Sequence, residues 1–465
     1  PTGRAAKVIN EKTGFEATTI HKGIYNFDEL KEIEKGEDEN DLSFLYQFAL
    51  RVNNESNIVY LVDESSMLSD VLSEGEFFRF GSGFLLRDLL THGKILSPEL
   101  RSKVIFVGDP AQLPPVGMNF SPALDEEYLK KTYDLSIVSC QITEVKRQGA
   151  NNGVLKSASK IRKCLTSGFY NDFDLRADNV DLFNPDYEDY LETYKSAKGQ
   201  KIIICFKNKT AYNLNKTVRI NKFGSDLPIQ PTDTVIIGQN NYPLNILNGE
   251  FGIVSEVSRQ TESRPIAFNK KGGDKAAIIL TWRKLSIVIP DEKGQTRIVS
   301  GLMLENYLLG DAYLSPDEQR ALYVDFRNRN RKLKPNTEAF KEAITNDLYF
   351  NCIQLKYGYA VTCHKAQGGE WNNAFVFWDK GVQPKFNFYE AEQNRSGKSN
   401  PDFYRWAYTA ITRGSDKLYC INPPYFNSFT GLSLISKEVE QAQSHLMGDK
   451  IEENIVKFND YASEL

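Results

Sequence analysis

Short apolar runs bounded by turn residues alternate with helix-like stretches along much of the 465-residue chain. The apolar runs predict strands at 57–62, 103–108, 201–206, 374–378 and 417–421. Helices are predicted over 153–166, 209–222 and 402–412. Near-continuous apolar strands that alternate with helices indicate an α/β fold, with parallel sheets covered on both faces.

The pattern changes between about 234 and 356, where short strand-like runs are joined by Gly, Asn and Asp turns. The stretches "TVIIGQNNYPLNILNGEFGIVSEV" and "AAIILTW" are examples. This texture resembles a small antiparallel barrel inserted into an α/β domain. A polar, basic stretch at 315–347 is predicted to be helical, and the α/β texture returns at 357 with "YGYAVTCHKAQ".

Composition places the chain among ordinary globular proteins, with 41% apolar and 25% charged residues. No apolar run has the length of a transmembrane helix, and nothing resembles a signal peptide. The six cysteines form no CxxC pair, and only four histidines are present. These features predict buried, reduced thiols in a cytoplasmic protein without disulfides, a zinc site or membrane contact.

The net charge of −4 does not by itself indicate a nucleic-acid-binding protein. Charge is instead distributed unevenly, with an acidic stretch at 28–41 and a basic stretch at 326–334. Each stretch, taken alone, is interpreted as a solvated loop or helix face.

Two carboxylates, Asp63 and Glu64, end the apolar run "IVYLV". Ligands of open α/β sheets bind at the carboxyl ends of strands, where the Asp63 carboxylate could hold Mg²⁺. Glu64 could then accept a proton from an attacking water. The alternative is a strand followed by an N-capping residue, and "DE" alone leaves both open.

The next strand, in "VIFVGDPAQLPPVG", also ends in polar groups, Asp109 and Gln112. A glutamine amide both donates and accepts hydrogen bonds, so Gln112 could contact a γ-phosphate or its attacking water. Because two successive strands end in such groups, a phosphate site is favoured over a plain turn.

Six stretches, in order, resemble the motifs of superfamily 1 helicases. They are "PTGRAA" with "TTIH" (18–21), "LVDESSM", "VGDPAQLPPVG", "QITEVKRQ" (141–148), "VTCHKAQGGEW" (361–371) and "WAYTAITRG" (406–414). The details are similar to the Dda branch, relatives of RecD. The resemblance implies two RecA-like domains with an inserted SH3-like barrel, which bind ATP and Mg²⁺ in the cleft between them.

The resemblance also implies roles for residues. Arg147 and Arg413 would reach across the cleft to the γ-phosphate, for which a planar, permanently charged guanidinium is suited. Nucleotide contacts are expected from Asp109, Gln367, Gly368 and Glu370. A surface salt bridge is the alternative for either arginine, and a tight turn is the alternative for the glycines.

Single-stranded DNA is the implied partner, bound through its backbone at both units. The expected contacts are Thr2, Gly3, Arg4, Thr19, His21, Thr362, His364 and Lys365. A buried structural role is an equal alternative for His21. Relatives often carry Ser where this chain has Ala366, which removes one hydroxyl contact.

The implied domain boundaries follow from the motifs and the change of texture. They are a first RecA-like domain at 1–147, a second at 148–236 and 356–430, an SH3-like insert at 237–355 and a helical extension at 431–465. Residues 22–56 would hold a pin that splits duplexes, with Phe27, Phe44 or Tyr46 stacking on a base.

The phosphate-cradling sequence GxxxxGK[ST] is not found in the chain. Gly397-Lys398-Ser399 lacks the first glycine, since Glu392 stands there, and is predicted to be an exposed loop. The motif order places the missing loop just upstream of Pro1, so the chain is either truncated or divergent. We expect these residues alone to bind DNA without hydrolysing ATP.

The function predicted is that of an ATP-dependent DNA helicase moving 5′-to-3′, a monomeric motor at duplex junctions in repair or recombination. One alternative is a non-catalytic DNA-binding or complex-forming relic. Another is an RNA helicase or the motor of a nuclease complex.

Overall fold

The computed structural model describes residues 3–33, 45–74, 78–142, 153–170, 172–241, 243–269, 275–290, 295–334, 337–379 and 400–425. These residues form a mixed α/β structure in which parallel and antiparallel sheets are separate. The α/β fold class predicted from the alternating pattern is therefore confirmed.

The first unit contains two small sheets and four helices. In chain order its elements are α1 (Gly3–Thr13), α2 (Ile20–Ile24), β1 (Tyr25–Ile33), β2 (Leu45–Leu50), β3 (Val59–Val62), β4 (Phe78–Phe80), α3 (Leu85–His92), β5 (Lys103–Phe106) and α4 (Glu126–Tyr133). Strands β3 and β5 are the two predicted apolar strands, and they pair in parallel. Their carboxyl ends therefore meet at one edge of the sheet.

The predicted pin region contains a β-hairpin. Strands β1 and β2 pair antiparallel, and β2 also pairs with β4 in parallel. Tyr46 is fully buried, so its proposed stacking on a base is wrong for this arrangement. Phe27 packs on Phe48 and Phe80, and Phe44 lies outside the described residues.

The second unit begins after residue 152 and is interrupted by an inserted sheet. Its first elements are α5 (Gly153–Ser167), β6 (Leu182–Phe183), α6 (Tyr190–Ser196), β7 (Lys201–Cys205) and α7 (Asn208–Phe223). Helices α5 and α7 match the predicted 153–166 and 209–222 to within a residue or so at each end.

The insert is an antiparallel sheet with three helices. Its elements are β8 (Thr234–Ile237), β9 (Phe251–Asn269), β10 (Lys275–Pro290), β11 (Thr296–Leu304), α8 (Glu305–Leu309), α9 (Pro316–Arg329), α10 (Glu338–Asn346) and β12 (Leu355–Tyr357). The strand order is β11-β10-β9-β8-β12. The sheet begins at Thr234 and ends at Tyr357, slightly outside the predicted 237–355.

The two edges of this sheet approach each other at one point. Ile353, just before β12, donates its N–H to Leu302 and accepts from Leu304 in β11, at 2.7 and 3.1 Å. This contact is consistent with the predicted barrel-like closure. The SH3-like description of the insert stays a prediction.

The chain then completes the second unit's parallel sheet. The remaining elements are β13 (Ala360–Thr362), α11 (Cys363–Ala366), β14 (Trp371–Phe377), α12 (Asn400–Ile411) and β15 (Gly414–Ile421). The order is β13-β7-β14-β15-β6, with every neighbouring pair parallel. The buried interior includes Ile202, Ile204, Val376 and Trp406, so the near-continuous apolar runs are explained by burial on both faces.

The hairpin of the first unit packs against the helices of the insert. Tyr46 shares an apolar cluster with Tyr323 and Phe326 of α9 and Phe340 of α10. The Tyr46 and Phe340 rings are stacked, with centroids 6.3 Å apart. The hairpin thereby joins two parts of the chain nearly 300 residues apart.

The basic stretch 326–334 is partly structural, contrary to its interpretation as a solvated face. Arg329 donates to Asp325 at 2.8 Å and to Asp347 at 2.5 Å. Arg264 of β9 pairs with the same Asp325 at 3.0 Å and lies 3.9 Å from the Tyr349 ring centre. These pairs hold α9 on the long β9–β10 hairpin.

The predicted burial of the cysteines is confirmed with one exception. All six cysteines are free, and five are buried, but Cys140 is exposed. The described residues contain no group of three or more His, Cys, Asp or Glu arranged to hold a metal ion. In the part of the chain that the structure describes, every helix is too short or too polar to cross a membrane.

Candidate functional site

The turn after β3 carries the first two predicted site residues. The Asp63 carboxylate accepts the Glu64 N–H at 2.9 Å. Glu64 has a left-handed backbone, with φ of +52°, which is unusual for a side-chain-bearing residue and often marks a functional turn. Ser65 fixes the turn by donating its N–H to Val107 at 2.9 Å.

The turn after β5 lies against the first turn. A Cβ at Gly108 would lie 3.0 Å from the Ser66 nitrogen, so this close approach favours glycine. The Asp109 carboxylate accepts the Ala111 N–H at 3.0 Å, and its carbonyl accepts the Gln112 N–H at 3.0 Å. Both acidic turns therefore occupy one edge of the first unit.

Two residues of the second unit hold the Asp109 carboxylate. Arg162 of α5 donates to both carboxylate oxygens, at 2.7 and 2.6 Å. The Tyr408 hydroxyl of α12 donates to Asp109 at 2.8 Å and accepts from Arg162 at 3.0 Å. This network joins the edge of the first unit to two helices of the second.

Gln112 and Gln367 are brought together through Leu113. The Gln367 side chain donates to the Leu113 carbonyl at 2.9 Å, and the Leu113 N–H donates to the Thr409 hydroxyl at 2.9 Å. The amide oxygens of both glutamines are buried, and no group of the described residues donates to either. The two buried amide oxygens, which lack a hydrogen-bond donor among the described residues, thus lie at the junction of the two units.

Arg413 lies at the same junction but is engaged by protein oxygens. Its guanidinium donates to Thr409, Gly369 and Thr412 at 2.9, 3.1 and 3.1 Å. The residue is 3% exposed. Arg413 donates to the Thr409 carbonyl, and the Thr409 hydroxyl accepts the Leu113 N–H. A single residue, Thr409, therefore separates Arg413 from the segment that follows Asp109.

The glycines of the 361–371 stretch have a structural reason as well as the predicted one. Gly368 has φ of +70°, which favours glycine. A Cβ at Gly369 would lie 2.3 Å from the Trp371 ring. Close approach of the indole ring is therefore a structural reason for glycine at 369, and the predicted approach of a phosphate stays a prediction. Glu370 follows Gly369, immediately before β14.

The predicted DNA contacts of the second unit lie at the carboxyl end of β13. Thr362 precedes α11, which carries His364 and Lys365. Burial lowers the pKa of both His364 and Lys365. The Lys365 ammonium lies 5.7 Å from the ring centre of Tyr313, a residue of the insert that is 65% exposed.

The predicted DNA contacts of the first unit have local packing roles. The Thr19 hydroxyl caps α2 by accepting the Lys22 N–H at 3.2 Å. His21 packs against the rings of Tyr25 and Phe80, and burial lowers its pKa to about 4. Gly3 begins α1. Thr2, Arg147 and the side chain of Arg4 lie outside the described residues.

Sequence reasoning missed Arg162, Tyr408 and Thr409. The last two lie in the quoted "WAYTAITRG", where the spacing of a helical face could have found them. Arg162 lies within an amphipathic helix without a motif, and its role appears only when α5 is placed beside β5.

Two family models match parts of the chain. Residues 1–118 match an AAA domain, and residues 357–389 match the UvrD-like helicase C-terminal domain. The first range contains the Asp63 and Asp109 turns, and the second contains Gln367. Both matches support a helicase of superfamily 1.

The chain is also similar to an uncharacterized protein of Methanocaldococcus jannaschii, with 24% identity, over 90% of this chain and 33% of that protein. It thus spans about a third of the length of this curated relative.

Among solved structures the chain is similar to a Pif1 helicase from Bacteroides in complex with ADP-AlF3 and ssDNA. The identity is 15% and the TM-score is 0.39, and the match covers 96% of this chain and 86% of that chain. A Pif1 helicase from Candida albicans matches with 15% identity, a TM-score of 0.32 and coverage of 82% and 76%.

Proposed function

We propose that this chain is the motor region of an ATP-dependent DNA helicase that moves 5′-to-3′ along single-stranded DNA. One observation carries the proposal. Asp109 accepts the Tyr408 hydroxyl directly, and Leu113 in the same segment accepts the Gln367 amide, so residues from both motif-bearing units converge beside Asp63 and Glu64. Such convergence is what a site built between two domains requires.

The residues at this junction suit a nucleotide and its metal ion. Bound ATP with Mg²⁺ would supply a hydrolysable phosphoanhydride. The Asp63 carboxylate is an oxygen ligand of the kind that Mg²⁺ prefers. Glu64 would hold the proton of the attacking water, and the unpaired amide oxygens of Gln112 and Gln367 would orient it.

The two arginines are proposed to contact the γ-phosphate only after a rearrangement or by resemblance. Arg413 would have to exchange its three contacts with protein oxygens for a phosphate. Arg147 is proposed as its counterpart by resemblance. Arg413 would change its hydrogen-bond partners when the domains close, since one of its present partners is Gly369, in the loop that carries the proposed nucleotide contacts Gln367 and Gly368.

Single-stranded DNA is the proposed partner of the other edge of the second unit. Thr362, His364 and Lys365 lie there, at the opposite end of the sheet from the starts of β14 and β15. Thr2, Arg4, Thr19 and His21 are proposed to bind the backbone at the first unit. Duplex junctions are the proposed site of action.

We expect Glu64→Gln to lower DNA-stimulated ATP hydrolysis by the full-length protein about 100-fold or more, because a positioned base contributes about that much. Binding to single-stranded DNA should stay within about twofold, since Glu64 lies at the nucleotide edge. Phosphate release and fluorescence anisotropy with a labelled oligonucleotide measure the two effects.

The matched control is Glu127→Gln on the exposed face of α4, which should leave both activities unchanged. Equal activity of the Glu64 variant would contradict the assigned role. Bound DNA without any hydrolysis by the unsubstituted protein would favour the non-catalytic alternative. Unwinding assays on DNA and RNA duplexes with 5′ or 3′ tails decide the polarity and the substrate.

A further inference from the structure

One face of α12 contacts the segment that follows β5. Tyr408 donates to Asp109, Thr409 accepts from Leu113, and Arg405 donates to the Asn119 carbonyl at 2.6 Å. Tyr408 and Thr409 follow Arg405 by three and four positions, so all three residues lie on one side of the helix. The helix thus contacts both ends of residues 109–119.

Only part of this contact is directed at an ionised acceptor. Arg405 binds a backbone carbonyl at an exposed site. Tyr408 and Arg162 instead bind a carboxylate, and hydrogen bonds to an ionised acceptor are the stronger class. The Arg162 and Asp109 side chains are 34% and 21% exposed, which limits solvent screening.

The Asp109 carboxylate in turn shapes the turn that carries Gln112. It accepts the Ala111 N–H, while its own carbonyl accepts the Gln112 N–H. Rotation of this carboxylate would therefore free the Ala111 N–H and loosen the turn, while the backbone bond to Gln112 would remain. The Gln112 amide oxygen is buried without a donor among the described residues, while the Gln112 N–H is bonded within this turn.

Resting on the proposed function, we propose that Arg162 and Tyr408 are positioning residues for ATP hydrolysis. They clamp Asp109 from the second unit, and Asp109 sets the turn that presents Gln112 to the attacking water beside Gln367. The clamp forms only when the two units are together. Hydrolysis is thereby coupled to the closed arrangement, without contact between Arg162 or Tyr408 and the nucleotide.

The test compares Tyr408→Phe and Arg162→Gln with Arg405→Gln in the full-length protein. We expect kcat for DNA-stimulated ATP hydrolysis to fall about 10-fold or more in the first two variants. KM for ATP and Kd for a single-stranded oligonucleotide should stay within about twofold, because neither residue binds a ligand. Arg405→Gln, which removes a contact of the same helix face, should keep kcat within about twofold.

A conservative variant and a double variant add readouts that a merely structural role would not move. Arg162→Lys keeps the charge and should recover part of the lost kcat. Asp109→Asn combined with Tyr408→Phe should be no slower than Asp109→Asn alone, because both changes break one network. Thermal unfolding of each variant shows whether the fold is retained.

Unchanged kcat in the Tyr408 and Arg162 variants would overturn this proposal while the proposed function stands. An equal loss of kcat in Arg405→Gln would also overturn it. ATP hydrolysis would then depend on the whole interface of α12 and not on the contacts to Asp109. Absence of ATP hydrolysis by the unsubstituted full-length protein would overturn the proposed function and this inference with it.

Discussion

The carboxylate of Asp233 is completely buried, and four hydrogen bonds satisfy it. Arg219 donates to its two oxygens at 2.9 and 3.0 Å, and the Tyr359 hydroxyl and the Gln230 N–H donate at 2.9 and 2.8 Å. Arg219 also lies 4.1 Å from the centre of the Tyr357 ring. These contacts join α7 to the start of the insert, where the chain leaves the second unit.

We expect Asp233→Asn to lower the free energy of unfolding by about 3–5 kcal/mol, because a buried guanidinium is left without its counter-charge. Urea denaturation followed by circular dichroism measures the change. The control is Asp226→Asn, which breaks the exposed Lys216–Asp226 pair at 2.6 Å. That substitution should cost about 0–1 kcal/mol. Equal costs in the two variants would contradict the importance of burial.

A sequence predicts the chemistry of single residues where a reactive residue type stands at a position that the strand pattern places in a site. Asp63 and Asp109 follow apolar strands directly, and the structure places both at one sheet edge. Arg162 could not be found in this way, because its partner is 53 residues away and on another unit. Arg413 was found, but its three bonds to protein oxygens depend on tertiary structure.

Elements were predicted well where burial dictates the pattern. Strand β7, the middle of β14 and the second half of β15 are buried on both faces, and each of these strands overlaps a predicted run. The outer part of the β9–β10 hairpin was missed, because Glu256–Arg264 is largely exposed and its polar residues look like a loop. Cross-strand pairing, which continues there through Arg264 opposite Leu280, stabilises it instead.

The β1–β2 hairpin supplies a test at the element scale. We expect Tyr46→Ala to lower the free energy of unfolding by about 3–5 kcal/mol, because it empties the cluster between the hairpin, α9 and α10. The exposed Tyr313→Ala is the control and should change it by about 0.5 kcal/mol or less. Chemical denaturation compares them. A small effect of Tyr46→Ala would mean that the hairpin does not depend on the helices of the insert.

At the scale of the whole molecule, a net charge of −4 opposes the approach of a polyanion. The proposed affinity for DNA would therefore have to come from local cations such as Lys365. We expect Lys365→Gln to reduce the slope of log K against log salt by about 0.7, the value for one phosphate contact on a single strand. Titrations of a labelled oligonucleotide at several salt concentrations measure the slope.

The control for this measurement is Lys130→Gln on α4, whose ammonium pairs with Glu126 at 3.2 Å on the surface of the first unit. Its slope should equal that of the unsubstituted protein. Identical slopes for the Lys365 variant and the control would remove Lys365 from the proposed DNA interface.

The burial of Tyr46 has a mechanical consequence. The first unit touches the second at the Asp109 turn, and the second continues without a break into the insert. The insert then returns to the first unit through Tyr46 and Phe340. The molecule is thus a closed linkage rather than two bodies on a single hinge. Rotation of the units about the Asp109 contact must be matched by sliding at the Tyr46 contact, or one of the two contacts must break. If the chain acts as the proposed motor, the hairpin would therefore limit how far the two units can rotate in each cycle.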